Sequence, residues 1–256
     1  MGRALHGRSD RRALRAVRGV ILLRPRAIVT DIEGTTTPIA FVTKTLFPYA
    51  RARFEAFVRE NAGDPAVAKA LDDTRALIND ENASIDAAIA ALLRWSDEDR
   101  KTPPLKTLQG MIWRAGYESG ALKAPVYDDA AKALRDWHKR GIRLAVYSSG
   151  SIAAQKLLFA HTDHGDLTPL FSAYFDLGTG FKTEAKSYAA IASALKLAPG
   201  EILFLSDHAG ETLSARAAGL MSWRIERGRF GPEETSEDGE GLPVAGSFAP
   251  VARLIA

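Results

Sequence analysis

The sequence predicts an α/β protein, a doubly wound parallel sheet interrupted by a helical insertion after its first strand. Three observations predict it. Short apolar, β-branched runs recur, and each ends in polar residues: RAIVTD closes on Asp31, RLAVYSSGS on Ser148, Ser149, Gly150 and Ser151, and EILFLSD on Asp207. Helical patterns separate or follow these runs, the signature of parallel strands with helices on both faces. Between about 41 and 124 the alternation stops and only helical spacing is found. In a sheet of this kind the functional groups gather at the carboxyl ends of the strands, which is where Asp31, Ser148 and Asp207 fall.

After the first strand, LFPYARARFEAFVREN, DPAVAKALDDTRALINDEN, SIDAAIAALLRWSDED and LKTLQGMIWRAGYESGAL all read as helices; Ile85, Ile89, Leu92 and Leu93 keep a helical spacing. RKTPPLK reads as a loop among them. DDAAKALRDWHKRG then offers Asp128 or Asp129 as N-cap, an apolar stripe through Ala130, Leu134 and Trp137, and Gly141 as terminator. Past the second strand, SIAAQKLLFAH starts a helix with Ser151 as its cap. AKSYAAIASALKLAPG precedes the third strand and ETLSARAAG follows it. GPEETSEDGEG reads as an acidic loop near the C-terminus. The organisation expected is a basic arm over 1–24, a core over 25–40 and 125–256, and a helical domain over 41–124.

Composition bounds the chemistry. With 256 residues, 46% of them hydrophobic, the chain can bury a full core. No apolar run approaches the roughly 18 residues that cross a bilayer, so no membrane partner is expected. There is no cysteine, which excludes disulfides and thiolate metal sites and fits a reducing, cytoplasmic setting. Arg3, Arg8, Arg11, Arg12, Arg15, Arg18, Arg24 and Arg26 face one acid, Asp10, in the first 26 residues, so a net charge of +3 conceals an acidic body. An Arg-rich, acid-poor start is shared by transit peptides, nucleic-acid arms and solvated tails. It is read here as a solvated tail with no nucleic-acid partner.

A phosphoryl-transfer site makes sense of the polar strand ends. A phosphate monoester brings about two negative charges. Adding Asp31, Glu33 and Asp207 requires cations, most simply a Mg²⁺ with oxygen ligands and a lysine, for which Lys182 is the candidate. Asp31 could then attack phosphorus, Glu33 could protonate the leaving oxygen and later deprotonate water, and Ser148, Ser149 and the amides opening the next helix could hold phosphate oxygens. Taken singly, each signal has a plainer reading: a capped turn for Asp-Ile-Glu, a helix cap for the serines or Asp207, a solvated lysine for Lys182. Their order along the chain and their common edge carry the inference.

These residues in this order resemble the haloacid-dehalogenase-like hydrolases. Within that superfamily DIEGTTTPIAFV, YSSGSIAAQKLLF, FKTEAKSY, ILFLSD and DRKTPPLKTLQGMIWRAGY are similar to the enolase-phosphatases of methionine salvage, the acireductone synthases, from about Ala27 to Gly219. Glu33 at the second carboxylate, followed by Gly34 and three threonines, is the most specific part of the match. The resemblance implies that the helical stretch is a cap domain. It also implies a substrate, the phosphorylated diketone 2,3-diketo-5-methylthiopentyl-1-phosphate, which is enolised and then dephosphorylated to the acireductone. It makes Asp31 the nucleophile and Glu33 the acid/base group, with Ser148, Ser149 and Lys182 on the substrate. The resemblance implies one Mg²⁺ per subunit, held by Asp31, Glu33 and Asp207, position 33 through its carbonyl or its carboxylate; a monomer is expected. After Asp207, HAGETLSARAAG departs from the family's usual pair before its glutamate; Glu211 stands where a supporting acid would. Lys186 competes with Lys182, but the spacing of FKTEAKSY favours Lys182.

Three other readings use part of this set. A generic Mg²⁺-dependent phosphomonoesterase keeps the fold and loses the enolase step; the cap motif argues against it. A dehalogenase does not need so many metal-binding carboxylates. A phospho-accepting receiver module also uses Asp, Mg²⁺, a hydroxyl and a lysine. A helical insertion of about eighty residues after its nucleophile strand, and Glu33 poised to hasten hydrolysis, do not suit it.

Overall fold

A computed structural model of the chain describes residues 23–229 and 231–255; nearly all of the expected basic arm lies outside the described residues. Six parallel strands and one antiparallel strand form a single sheet in the order β3-β2-β1-β4-β5-β7-β6. The strands are β1 (Ala27–Thr30), β2 (Arg143–Tyr147), β3 (Phe171–Phe175), β4 (Ile202–Ser206), β5 (Met221–Ile225), β6 (Thr235–Glu237) and β7 (Pro243–Ala245). Leu23 forms a bridge to Ile255, joining the two ends of the described chain.

The two faces of the sheet bury two cores, divided by the period-two alternation of the strands. Ile28, Leu144, Val146, Leu203 and Leu205 pack on one face with Trp137 and Phe248, from helices Asp128–Lys139 and Phe248–Leu254. Ala27, Val29, Ala145, Tyr147, Ile202 and Phe204 pack on the other, against Tyr188, Ile191 and Leu195 of helix Ala185–Leu195 and Ala215 of helix Ala209–Ala217. Tyr188 lies edge-on to both Tyr147 and Phe204. Strands buried on both sides explain why β1, β2 and β4 read as unbroken apolar runs.

Between β1 and the helix Asp128–Lys139 the chain leaves the sheet. A short helix Ile39–Phe41 passes through a π-helical segment Val42–Leu46 into a long helix Phe47–Glu60, followed by Pro65–Leu77, Ile85–Asp97 and Pro103–Glu118. These helices enclose a separate core of Phe54, Val58, Leu71, Leu92, Trp95, Leu105, Leu108 and Ile112, among others. Asp64 caps the second of the four by accepting the Ala66 and Val67 amides, and Ser84 caps the third through Ala87. Phe41, Val42 and Leu46 instead belong to the sheet's core. Trp113 touches both cores and donates its indole N–H to the Leu46 carbonyl at 2.8 Å, tying the helical body to the sheet.

Some local expectations are corrected. The loop read at RKTPPLK ends at Thr102, because Pro103 and Pro104 begin a helix, where a missing N–H costs nothing. Neither Asp128 nor Asp129 caps its helix; Tyr127 is the flanking residue, without a side-chain cap, and Asp129 is used elsewhere. The acidic stretch after 231 holds the exposed strand β6, paired through its backbone to β7. Among the described residues no helix is long and apolar enough to cross a membrane.

Candidate active site

The register places Thr30 level with Val146 and with Leu205, so β1, β2 and β4 end together. Asp31, Ser148 and Asp207 therefore leave the sheet along one edge. The Asp31 amide still continues the ladder, donating to the Leu205 carbonyl at 2.9 Å. The chain then folds on itself, as the Thr35, Thr36 and Thr37 amides all donate to the Ile32 carbonyl and the Gly34 amide donates to Thr37. The three threonines are fully buried. Thr36 returns its hydroxyl to the Asp31 and Ile32 carbonyls, and Thr35 accepts the Asp207 amide with its hydroxyl at 2.9 Å.

Gly34 explains why this turn needs a glycine. Its φ is +71°, and a Cβ there would stand 2.0 Å from Asp207 Oδ2 and 2.6 Å from Asp207 Cγ. The Asp207 carboxylate is thus pressed against the backbone that follows Asp31. From outside, Arg227 donates to the Thr35 carbonyl at 2.8 Å, lies 3.7 Å over the Tyr127 ring and forms a forked pair with Asp129. Asp129 also accepts the Phe248 amide.

Lys182 is buried, 6% exposed, and its ammonium reaches Asp31 Oδ1 at 2.6 Å and Glu211 Oε2 at 2.7 Å. Glu211 also accepts the Ser206 hydroxyl. The approach to Lys182 is held by three hydroxyls: Tyr147 to the Gly180 carbonyl, Ser187 to that of Phe181 and Tyr188 to that of Lys182. Lys186 is exposed and pairs with Glu184, away from this cluster.

The acids are short of positive charge. Burial pushes the Asp31 carboxyl up to about 7; Lys182 pulls it down and Glu211 adds to the rise. Burial likewise raises Asp207, with Glu211 adding to it. Glu33 opens to solvent on one side, yet the protein packed around its carboxyl raises it too, while Lys182 and Lys101 pull it back. Burial alone would lower Lys182, but Asp31 and Glu211 outweigh it and keep the ammonium charged. Lys182→Met would leave Asp31 and Glu211 facing each other without a cation. The expected cost is about 3 kcal/mol or more, a drop in Tm of roughly 6–12 °C. Thermal melting checks it, and an unchanged Tm would show that the triad does not support the fold.

At the end of β2 Ser148 is buried and Ser149 exposed. Ser148 accepts the Gly150 amide, and Gln155 fastens this turn through the Gly150 and Phe175 carbonyls. The next helix, Ile152–Ala160, is capped by Ser151 as expected, the Ala154 amide donating to it. The Ile152 amide donates to Asp176, so two amides at this helix start already have partners.

Among the described residues no three His, Cys, Asp or Glu side chains converge as a complete metal cage. Two carboxylates, Asp31 and Asp207, and the backbone drawn against Asp207 at Gly34 are what this edge of the sheet supplies. That donor set, hard oxygen with excess negative charge, suits a Mg²⁺ that keeps some of its water. Sequence reasoning missed the Lys182–Glu211 contact, the Thr35–Asp207 bond and the Arg227 clamp. Only Glu211 left a trace, as an acid spaced after Asp207.

The haloacid dehalogenase-like hydrolase family matches residues 25–219. The enolase-phosphatase E1 of Parvibaculum lavamentivorans is 55% identical over 231 residues, 90% of this chain and 96% of that protein. The chain belongs to the enolase-phosphatase E1 family of haloacid dehalogenase-like hydrolases. The enolase-phosphatase E1 of Pseudomonas aeruginosa (strain UCBPP-PA14) agrees, 51% identical over 88% of this chain and 97% of its own length. Among solved structures, the UTR4 protein of Saccharomyces cerevisiae superposes with a TM-score of 0.75 at 37% identity, covering 88% of this chain and 99% of its own. Membership accounts for the parallel sheet and for the concentration of acids at its carboxyl edge.

Proposed function

We propose that this chain is a methionine-salvage enolase-phosphatase. It converts 2,3-diketo-5-methylthiopentyl-1-phosphate to the acireductone 1,2-dihydroxy-3-keto-5-methylthiopentene and phosphate. The observation that carries the reading is the buried Lys182 ammonium, 2.6 Å from Asp31 at the edge that also presents Asp207. Family membership narrows the substrate.

In this reading Asp31 attacks phosphorus and forms an aspartyl phosphate as the bond from phosphorus to the substrate's C1 oxygen breaks. Glu33 gives that oxygen its proton, then takes one from the water that hydrolyses the acyl phosphate. Burial raises the Glu33 carboxyl, the direction that favours a proton donor. Ser148 and Ser149 orient phosphate oxygens, and Lys182 offsets their charge. In the enolase step Glu33 takes the proton from C1, and charge grows on the oxygen of the neighbouring C2 carbonyl, which Lys182 stands ready to stabilise. Asp31, Asp207 and position 33, through its carbonyl or carboxylate, would hold one Mg²⁺. When bound, the ion supplies the positive charge that lets phosphate enter among carboxylates.

The helical body over 41–124 serves as the cap that closes on the substrate. Its support is a core of its own and the pull of Lys101, on the loop before its last helix, on Glu33. The enzyme works as a cytoplasmic monomer on a small-molecule substrate, with no nucleic-acid partner.

The test offers the protein this diketo phosphate under anaerobic conditions, following free phosphate and the ultraviolet absorbance of the enediol together. Both should rise with Mg²⁺, and chelation by EDTA should remove at least 90% of the activity, roughly a tenfold loss or greater, with restoration on adding Mg²⁺. Cleavage of simple phosphate esters without turnover of the diketone would reduce the assignment to a generic phosphatase. Full activity in EDTA would overturn the metal.

A further inference from the structure

Five large hydrophobic side chains are exposed among the described residues: Ile39, Leu77, Ile152, Leu177 and Phe181. Leu77 ends a helix of the helical body. The other four all lie just beyond the carboxyl ends of β1, β2 and β3, the edge that carries Asp31 and Ser148. Exposed apolar residues scattered singly need no explanation, but a set confined to one edge of one site does.

Phe181 is the most exposed of them, at 63%, and it immediately precedes the buried Lys182. It is not on a loose loop. The Ser187 hydroxyl and the Glu184 amide both donate to the Phe181 carbonyl, and the Gly180 amide donates to the Leu177 carbonyl. The Gly180 carbonyl is fixed by Tyr147. Gly180 has φ +138°, and a Cβ there would meet Ser187 Oγ at 2.3 Å, so the backbone runs close against the next helix. Asp176, next to Leu177, holds the Ile152 amide and brings the loops after β2 and β3 together. The result is a phenyl group held in water on an anchored backbone, beside the lysine that contacts the nucleophile. Leaving such a ring exposed forfeits burial that a ligand can recover.

We propose that Phe181, on the same strand-end rim as Leu177 and Ile152, is the specificity-determining contact for the apolar thioether tail of the substrate. The inference rests on the functional reading above. A phosphate held at Asp31 and Lys182 fixes one end of the substrate, and the tail must then cross the rim of the same edge. Aromatic rings attract thioether sulfur as well as methylene groups, so a phenylalanine suits this tail better than an aliphatic residue of equal size.

The test compares wild type with Phe181→Ala and Phe181→Leu on two substrates. These are the methylthio-bearing diketo phosphate and a four-carbon analogue, 2,3-diketobutyl-1-phosphate, which lacks the tail. The quantity read is the ratio of kcat/KM for the long substrate to that for the short one. The ratio should fall roughly tenfold or more in Phe181→Ala, mostly through KM, with Phe181→Leu between the two. Because the side chain is exposed, neither variant should fail to fold. A ratio unchanged in Phe181→Ala, whether both substrates slow together or neither does, overturns the proposal and leaves the functional reading standing. If wild type turns over neither diketo phosphate, the functional reading falls, and this inference with it.

Discussion

Asp31→Asn should stop phosphate release, by roughly 10⁴-fold or more, without unfolding the protein. The amide keeps the shape of the carboxylate but cannot form the acyl phosphate. The structure also predicts the stability of this variant. Asp31 is buried and its carboxyl is pushed up to about 7, which means its ionised form is costly at neutral pH. A neutral amide removes that cost, and Glu211 remains at 2.7 Å to hold the Lys182 ammonium. The variant should melt no lower than wild type at pH 8 while releasing almost no phosphate. Phosphate release and a thermal melt, run on one preparation, read both. Retention of more than about a tenth of the rate would remove Asp31 as nucleophile; a dead and unfolded variant would show that its charge supports the fold.

The second large effect is expected at Gly34. Alanine there meets two separate costs. A left-handed backbone costs any residue with a Cβ about 1–2 kcal/mol. In addition, the new methyl would overlap the Asp207 carboxylate, with Oδ2 only 2.0 Å away, so Asp207 must move. The expected outcome is a fall in kcat/KM of roughly 100-fold or more and a raised Mg²⁺ requirement, since a displacement of about 1 Å at a reacting centre costs that much. Gly141 is the control. Its φ is +77°, and a Cβ there meets nothing within 4 Å. Gly141→Ala should therefore lower Tm by a similar strain while leaving the Mg²⁺ requirement as it is. If the two variants behave alike, the contact with Asp207 has no catalytic weight.

How far these positions could be read in the chain alone depends on where their partners lie. β1, β2 and β4 are central and buried on both faces, so their runs are apolar throughout and announce themselves. β3 is the outer strand, half-buried beyond Phe171, and FSAYF mixes polar with apolar residues. β5 is only partly buried, and β6 is exposed along its whole length, so neither has an apolar run to betray it. Caps and turns depend on near neighbours, which is why Ser151 and Gly141 were legible. Asp129 was not, because its partners are Arg227 and the Phe248 amide, far along the chain. Within the site, Asp31, Ser148 and Asp207 follow from their positions at strand ends. Lys182 is legible as a type, the cation the acids require, but nothing local shows that its second partner is Glu211. The buried threonines look like a polar turn until Thr35 is seen to hold the Asp207 amide.

The Arg227 clamp gives the enzyme a schedule. The turn after Asp31 leaves the ribosome before its clamp does: the guanidinium that holds the Thr35 carbonyl is encoded 192 residues later. At ordinary rates of synthesis that is a wait of roughly 10–40 s. Throughout that interval a growing chain carries Asp31 ahead of a turn that one of its restraints has not yet reached. A chain cut short between Glu211 and Arg227 would thus carry every carboxylate of the site while the Thr35 carbonyl still lacked its guanidinium.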